Sequence, residues 1–509
     1  MLLEAGPWDR GIWIKIPLGF GRILTHKLYD WGHRPEPEPR LDNRTIECAR
    51  GKVIGGSSSI NAMAYMRGDR YHYDDWAKNG LPEWSFAHLL PYFKRQESWE
   101  KGETSHRGGS GPLKTRLASY ADPLVAAYME AGRAAGHPAT DDYNGAQQEG
   151  FAVLQSTIHR GLRFSAADAY LRPALARANL TVIIDALATQ LVLEGKRAVG
   201  VRYQHAGATH TAHAAREVIL AGGTINSPQL LMLSGIGDPD HLHEHGIAVK
   251  LPLPGVGRNL QDDLSVGLEY TRAAPGPFVR NMRADRLARE LVRSRLGRGG
   301  FASDLPSGWV AFLKTRPEAP APEVQLLFRA TPYTANPYFL RPFADGFACR
   351  AVLARPASRG SITLHSADPR APVCMRWNML DAAEDLQTMR RGLRLVLALG
   401  RSSALRRYVG TERFAASIGT DDAALDALIR SVGATAHHPL GTCKMGPATD
   451  PLAVVDSELK VHGTEGLRVV DASVMPSLVG AAINAPVMVI AEKASDLIRG
   501  RAPLAPALN

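Results

Sequence analysis

The chain has 509 residues, 45% hydrophobic and 22% charged, with 48 glycines and 34 prolines. It is too long for one simple core and suits two domains, or one domain with a large insertion. Its net charge of +10 comes from dispersed basic residues with no recognition motif, which argues against nucleic acid and for a basic, solvated surface. No run of about 18 apolar residues predicts a membrane span, no signal peptide opens the chain, and four scattered cysteines form no CxxC pair. Reduced thiols, no metal site and the cytoplasm are therefore expected.

In chain order, Leu2-Leu3-Glu4 reads as the end of a strand that Gly6-Pro7 breaks. Pro35 to Pro39 is a short extended spacer. Gly51-Lys52-Val53-Ile54-Gly55-Gly56-Ser57-Ser58-Ser59-Ile60-Asn61 is a glycine-serine turn. Its backbone N–H groups could approach a phosphate or a ring edge, although such a string alone is more often a flexible loop. Ser85 to Glu97 predicts a helix interrupted near Pro91. Leu180 to Ile184, Leu191 to Glu194 and Val199 to Tyr203 are split by Asp185-Ala186 and Gly195-Lys196 and predict a strand meander. Glu217 to Gly223 predicts a buried strand running into a glycine turn. Ser227 to Leu233 begins a helix with Pro228 in its first turn, where a missing N–H costs nothing.

The character changes near Thr271. Arg280 to Arg298 carries seven arginines against Asp285 and Glu290, with Ala284, Leu287, Ala288, Leu291 and Val292 on one helical face. Glu323 to Arg329, Ala348 to Leu353 and Ser361 to His365 predict an antiparallel sheet with helices against it. The glycine-rich character returns after Val432. The expected organisation is a discontinuous first domain, residues 1–270 and 431–509, with a second domain, 271–430, inserted.

His437-His438-Pro439-Leu440-Gly441-Thr442-Cys443-Lys444-Met445-Gly446, followed by Asn484-Ala485-Pro486, places a histidine pair and an asparagine near the end of the chain. Together with the Gly51–Asn61 turn, its continuation through Tyr65 and Gly68 to Asp74, and the segment Gly223 to Gly237, this resembles the glucose-methanol-choline family of FAD-dependent alcohol oxidoreductases. The resemblance covers Leu2 to Ile498. It implies an α/β FAD-binding, Rossmann-like domain with an inserted α+β substrate domain built on an antiparallel sheet.

The resemblance also implies roles. Glu4, at a strand end, would accept the adenosine ribose hydroxyls, and Ala188 would give a backbone contact to adenine. Gly55, Gly56, Ser57, Ser58, Asn61 and Ala62 would line the flavin. Asp471 would accept a hydroxyl or order a water near the ribityl and pyrophosphate, with Ala472, Pro486 and Val487 close by. The catalytic pair would be His438, the histidine directly before proline, and Asn484, eight residues before Glu492. A neutral histidine suits removal of a hydroxyl proton, and a second donor fixes the oxygen so that the C–H bond points at the flavin. The activity implied is oxidation of a primary alcohol to an aldehyde by hydride transfer to the flavin. Where some members link FAD covalently through histidine, this chain has Ile60, so FAD should be non-covalent.

Two departures stand out. The loop Gly255 to Asp262 resembles a family segment that usually ends in histidine, and Asp263 occupies that place. Members also carry a strand and GxGxxG about 30 residues ahead of the Leu-Glu-Ala-Gly strand. Neither Gly235-Ile236-Gly237 nor Gly255-Val256-Gly257 reaches a third glycine, so Met1 is expected to be an internal start of a longer protein. The other readings are a truncated chain that no longer holds FAD and does not catalyse, and a flavin-containing lyase on the same scaffold.

The substrate is less constrained. The style of Ile60 to Gly68 resembles the bacterial choline or aliphatic alcohol dehydrogenase branch. Gln325, Leu327 and Arg329 share one strand face. Facing the cavity, Arg329 would repel choline and could pair a carboxylate; it could equally face outward. Quinone or oxygen would accept the electrons. The Arg280–Arg298 helix is either a solvated face or a peripheral contact to anionic lipid at the inner membrane.

Overall fold

The computed structural model describes residues 1–331, 345–412 and 419–507. Four short parallel pairs occur among the described residues, two of them, Ile236–Gly237 with Leu251–Pro252 and Glu97–Trp99 with Leu113–Leu117, apart from the two that frame the site. Leu2–Leu3 lies beside Val182–Ile183, and Val218–Leu220 beside Leu467–Val469. Leu187–Glu194, Arg197–His205 and Ala208–His213 form a three-stranded antiparallel meander. The expected meander is thus shifted along the chain: Val182–Ile183 leaves it to pair with the first strand, because Asp185, at φ 51°, turns the chain between them. The Val218–Leu220 strand is not wholly buried, since Ile219 is 43% exposed.

A seven-stranded sheet dominates the middle of the molecule. Its order is Val409–Glu412, Leu264–Arg272, Gly346–Leu353, Val324–Arg329, Trp309–Leu313 and Gly150–Val153, with Ala434–Thr435 also on Leu264–Arg272. Every pairing is antiparallel. Its contributors come from both sides of residues 270 and 430, so the strands beside the site bind the two parts of the chain together.

Alternation gives this sheet two unlike faces. Val266, Leu268, Leu326, Ala351 and Leu353 are buried on one, where the Ala383–Arg401 helix packs with Met389, Leu393, Val396 and Leu397. The helix lies close because residue 392 is glycine: a Cβ there would stand 3.0 Å from Val324 Cγ1 and 3.3 Å from Ala351 Cβ. On the opposite face Val310, Phe312 and Ala152 pack against Met66, Tyr143, Leu154, Ala481 and Ala482. Gln325 donates to Met66 Sδ at 3.0 Å, which fixes Gln325, Leu327 and Arg329 on that inner face. By strand register Arg350 stands opposite Leu327 and Gly267, and Ala348 opposite Arg329 and Glu269, so all point the same way.

Two proline expectations need correction. The Phe86–Gln96 helix is not interrupted at Pro91. The carbonyl that Pro91 leaves without its helical donor belongs to Ala87, and Ala507 N donates to it at 2.8 Å. Likewise the Gly223–Leu233 helix starts at its glycine, and Pro228 sits inside it rather than in its first turn. The freed Thr224 carbonyl accepts Thr442 Oγ1 at 2.6 Å. A proline costs a helix mainly its lost hydrogen bond and a clash one turn back; here a tertiary donor replaces the bond in both cases. The arginine-rich helix runs Ala284–Arg295, but its inward side is Leu287, Glu290, Leu291 and Ser294, while Ala284, Ala288 and Val292 face out.

Candidate active site

The glycine-serine turn is locked by its own side chains. Gly55 and Gly56 take φ of 86° and 54°, a region that favours glycine. Ser59 Oγ donates to Ile54 O at 2.7 Å, and Ser58 Oγ donates to Gly55 O at 2.6 Å while accepting Ala166 N at 3.0 Å. Ser57 stays exposed. Asn61 Oδ1 accepts Met63 N at 2.9 Å and Arg163 Nη1 at 2.7 Å, leading the chain past the half-buried Ala62. Ile60 is buried beside Ile14, Ile23 and Val53.

The chain that follows the turn enters a buried ionic cluster. Glu97 accepts Arg67 Nη2 at 2.6 Å, Arg107 Nη2 at 2.5 Å and Thr115 Oγ1 at 2.7 Å. Burial works against the Glu97 charge, but Arg67 and Arg107 outweigh it and hold the carboxyl below its usual range. The Met66-Arg67-Gly68 stretch is thereby fixed from beneath.

The Gly223–Leu233 helix is tied to the histidine loop. Thr224 Oγ1 donates to Pro439 O at 2.7 Å, the reciprocal of the Thr442 contact. Asp471 fastens the helix start from the other side. Its Oδ2 accepts Gly223 N at 2.8 Å and Ser227 Oγ at 2.6 Å, and its Oδ1 accepts Ser473 N at 2.8 Å. Both oxygens thus serve protein donors, so Asp471 shapes the turn and Ala472 directly. Gly441 N and Cys443 N donate to Ala472 O and Ser473 O at 3.2 and 2.8 Å, bringing that turn alongside the histidine loop.

Gln261–Asp263 runs antiparallel to Ala436–Leu440: Gln261 and Leu440 exchange both backbone bonds, at 3.1 and 3.0 Å, and Ala436 N donates to Asp263 O at 3.0 Å. Thr435 Oγ1 donates to Asp262 Oδ2 and accepts His437 N at 2.6 Å. His438 N donates to Asp262 Oδ1 at 2.9 Å, and His438 Nδ1 lies 2.8 Å from Asp263 Oδ2. A carboxylate accepts, so Nδ1 carries a proton and Nε2 is the ring nitrogen not engaged by Asp263.

The two histidines are shifted in opposite directions. Burial lowers the His438 imidazole, but Asp263 and Asp262 outweigh burial and raise it above its ordinary value, against an opposing Arg50. His437, in the left-handed region at φ 70°, is pushed down to about 3 by burial, Arg50, His438 and Arg350, so it is neutral. Arg50 Nη2 donates to His437 O at 2.7 Å. Asp262 is pushed up to about 7 by burial and by Asp263.

Asn484 is the first residue of the last helix, Asn484–Ile498. It and Val487 are half-buried, while Ala485, Pro486 and Met488 are buried, so the open side of that first turn belongs to Asn484 and Val487. Glu492 is pinned by Arg95 Nε at 2.7 Å and Tyr170 OH at 2.8 Å, and Asp496 by Arg95 Nη1 at 2.6 Å. Far along the chain, Glu4 and Ala188 come together: Ala186 N donates to Glu4 O at 2.9 Å, two residues before Ala188. Glu4 Oε1 accepts Gly6 N at 2.8 Å, and burial pushes its carboxyl up to about 7.

These positions have the room and polarity a dinucleotide needs. A Cβ on Gly56 or Gly223 would meet nothing within 4 Å, and Ala221 and Gly222 are exposed. Asn226 Oδ1 and His437 Nδ1 are buried with no partner among the described residues. Sequence reasoning did not anticipate Asp262, Thr435 or Arg50, nor the contact between Asp263 and His438. The one available signal was the Asp262-Asp263 doublet itself, since adjacent acids opening a buried strand need partners.

Two family models described as GMC oxidoreductase match the chain, over residues 19–265 and 356–491. The oxygen-dependent choline dehydrogenase of Brucella ovis is 41% identical over 508 residues, covering 99% of this chain and 92% of that protein. The mitochondrial choline dehydrogenase of Mus musculus is 41% identical over 515 residues, covering 99% and 86%. Among solved structures, pyridoxine 4-oxidase from Mesorbium loti superposes with a TM-score of 0.88 at 29% identity, covering 98% of this chain and 94% of that one. Formate oxidase of Aspergillus oryzae superposes with a TM-score of 0.87 at 26% identity, covering 98% and 93%.

Proposed function

The chain belongs to the GMC oxidoreductase family and is an FAD-dependent enzyme that oxidises alcohols, and we propose that His438 and Asn484 are its catalytic pair. The observation that carries this reading is the 2.8 Å contact from His438 Nδ1 to Asp263, which leaves Nε2 as the free ring nitrogen. Bound FAD supplies the hydride acceptor. Within the protein, His438 takes the hydroxyl proton on Nε2, and Asn484 holds the oxygen so that the reacting carbon keeps one orientation. His437, buried and neutral, adds no charge to the site. The relatives reported above carry dehydrogenase and oxidase names, and the lyase and non-catalytic readings find no support among them.

The FAD-binding residues of this proposal are Glu4 and Ala188 at the adenosine end. Gly55, Gly56, Ser57, Ser58, Asn61 and Ala62 lie on the first turn, and Asp471, Ala472, Pro486 and Val487 near the histidine loop. The FAD-binding part is residues 1–270 and 431–509, and the substrate part is centred on 271–430. Ile60 has no nucleophile to attach a flavin, so FAD is held without a covalent bond. Acid precipitation of the loaded enzyme should leave all the flavin in the supernatant; flavin in the pellet would sink that point.

Relatives named for choline make choline the first alcohol to try. The inner face of the sheet favours another ranking. It carries Arg329, Arg350 and Glu269 beside Gln325 and Leu327, two guanidiniums against one carboxylate. The aromatic rings there, Phe312 of the neighbouring strand and Tyr143 packed on it, are both fully buried, and Leu264–Arg272, Val324–Arg329 and Gly346–Leu353 add none. A quaternary ammonium gains most from aromatic faces. Neutral or carboxylate-bearing primary alcohols should therefore reduce the flavin faster than choline, and an anaerobic bleaching series decides it. Choline bleaching fastest would overturn this ranking and leave the family assignment intact.

No helix among the described residues is long and apolar enough to cross a membrane. Val292 and Leu296, 60% and 61% exposed among the arginines of the Ala284–Arg295 helix and its end, support a peripheral contact with anionic lipid, and with it a quinone acceptor rather than oxygen. Co-sedimentation with phosphatidylglycerol vesicles, compared with phosphatidylcholine ones, tests this.

A further inference from the structure

Asp263 is the residue by which this chain departs from the histidine its resemblance calls for, and the structure gives that departure a place. Its side chain is 2% exposed. One oxygen lies 2.8 Å from His438 Nδ1, and the other, Oδ1, is buried with no partner among the described residues. Burying a carboxylate is costly unless it is paired, and the imidazole is the partner the structure supplies. The backbone around it is rigid: Ala436 N on Asp263 O and His438 N on Asp262 Oδ1 fix both ends of the contact.

We propose that Asp263 is a positioning residue for proton abstraction, accepting Nδ1–H of His438 and thereby presenting the Nε2 lone pair to the substrate hydroxyl. The proposal rests on the reading of His438 as the base. In the step concerned, the substrate O–H bond breaks and its electron pair forms the C=O bond. The proton passes to Nε2, the carbon gives up hydride to the FAD of the established activity, and His438 is left as imidazolium against the Asp263 carboxylate. Asp263 itself keeps no proton. An asparagine at 263 has the same shape but can turn its NH₂ toward Nδ1, which favours the tautomer with hydrogen on Nε2 and blocks the base. The titratable and charged groups around His438 are Asp262 and Asp263 from the segment before Leu264, Arg50 from the loop leading to the glycine-serine turn, and the adjacent His437, which is neutral. Arg350 stands beyond His437. Of these, only Asp263 touches the ring.

The test compares Asp263→Asn with the unchanged enzyme, both loaded with FAD, over a pH series. In the unchanged enzyme kcat/KM should rise with pH through an inflection above the ordinary imidazole value of about 6.5. In Asp263→Asn the inflection should move to lower pH, because the raising charge is gone. Its plateau kcat should fall on the order of 10²-fold, with KM moved far less. An unshifted inflection with kcat intact, or a loss confined to KM, overturns the proposal. Should the variant fail to hold FAD, the unchanged enzyme still decides it. In ¹⁵N-histidine NMR, with His438 assigned by its disappearance in His438→Gln, Nδ1 must carry the proton above the inflection. A proton on Nε2 there overturns the proposal. Loss of kcat in His438→Gln beside an inert Asp263→Asn sinks this inference alone, whereas an active His438→Gln sinks the reading beneath it.

Discussion

Along the seven-stranded sheet, alternate residues from Leu264 to Leu353 are buried under the Ala383–Arg401 helix, and strands of five to nine residues share long antiparallel ladders. The parallel strands are built differently. The pairs Leu2–Leu3 with Val182–Ile183 and Val218–Leu220 with Leu467–Val469 run two or three residues per strand and leave Leu2 and Ile219 39% and 43% exposed. Val218–Leu220 leads into the turn at Gly223, which, like Gly56 in the glycine-serine turn, has open space beside it. Yet the second region is not loosely made. Ser58, Ser59, Thr224, Thr442 and Asp471 each spend side-chain hydrogen bonds on backbone. The sheet is held by apolar packing, so substitutions there should register as stability. The turns are held by polar side chains fixing backbone, so substitutions facing their open side should register as ligand affinity or rate, with stability little changed.

His438→Gln should give the largest effect and the cleanest separation. Loss of a general base costs about 10²–10⁴-fold in rate, while FAD content and melting temperature should change far less, because the glutamine amide can still donate to the buried Asp263 carboxylate in place of the imidazole. Stopped-flow anaerobic reduction by the best alcohol of the panel measures it. An equal loss of stability would break the comparison, because it would make the histidine loop part of the frame. Glu97→Gln is the opposite case. It removes the fully buried carboxylate between Arg67 and Arg107, leaving Arg67 without its counter-ion and Arg107 with Asp142 alone. Breaking such a pair costs about 3–5 kcal/mol, read as a fall in the melting temperature of FAD-free and loaded protein alike. The sign with pH follows from the depressed carboxyl. The stabilisation is complete above the unfolded value near 4.5 and is lost as pH falls through the lower folded value, so the gap between Glu97→Gln and the unchanged protein should shrink on acidification.

Much of the fold and of the site is carried by chain-local patterns, and those are what the sequence displays. The glycine-serine turn, the strands ending in glycine and the histidine pair are contiguous, and their backbone demands are visible residue by residue. What stays hidden is supplied from a distance. Pro91 and Pro228 read as breaks because a helix-internal proline leaves a carbonyl unpaired. That Ala507 and Thr442 would fill those places depends on chain contacts no local rule contains. Asp263 is similar: its identity is odd in the sequence, but the imidazole it meets lies 175 residues on. The arginine-rich helix shows the converse limit. The helical spacing of its apolar residues predicts one inward face, whereas Glu290 and Ser294 turn inward and Val292 outward. Phe301 N accepts that arrangement by donating to Glu290 Oε2 at 2.9 Å.

Two glycines set the smaller effects against each other. Gly392→Val puts branched carbons where even a Cβ would stand 3.0 Å from Val324. Overpacking of this kind costs about 1–3 kcal/mol, and it should appear in melting temperature with FAD affinity unaltered. Gly56→Ala differs in both respects. Its Cβ would meet no protein atom within 4 Å, so the folded protein bears only the cost of alanine at φ 54°, roughly 1–2 kcal/mol. On the proposed reading of the site, the methyl group enters the space that the cofactor fills. FAD affinity should drop by about tenfold, equivalent to ~1.4 kcal/mol, measured by fluorescence titration of the FAD-free protein. If Gly56→Ala loses stability and keeps its FAD affinity, the turn does not face the cofactor. The division between a packed sheet and a ligand-facing turn would then have to be redrawn around Gly223 and Asp471.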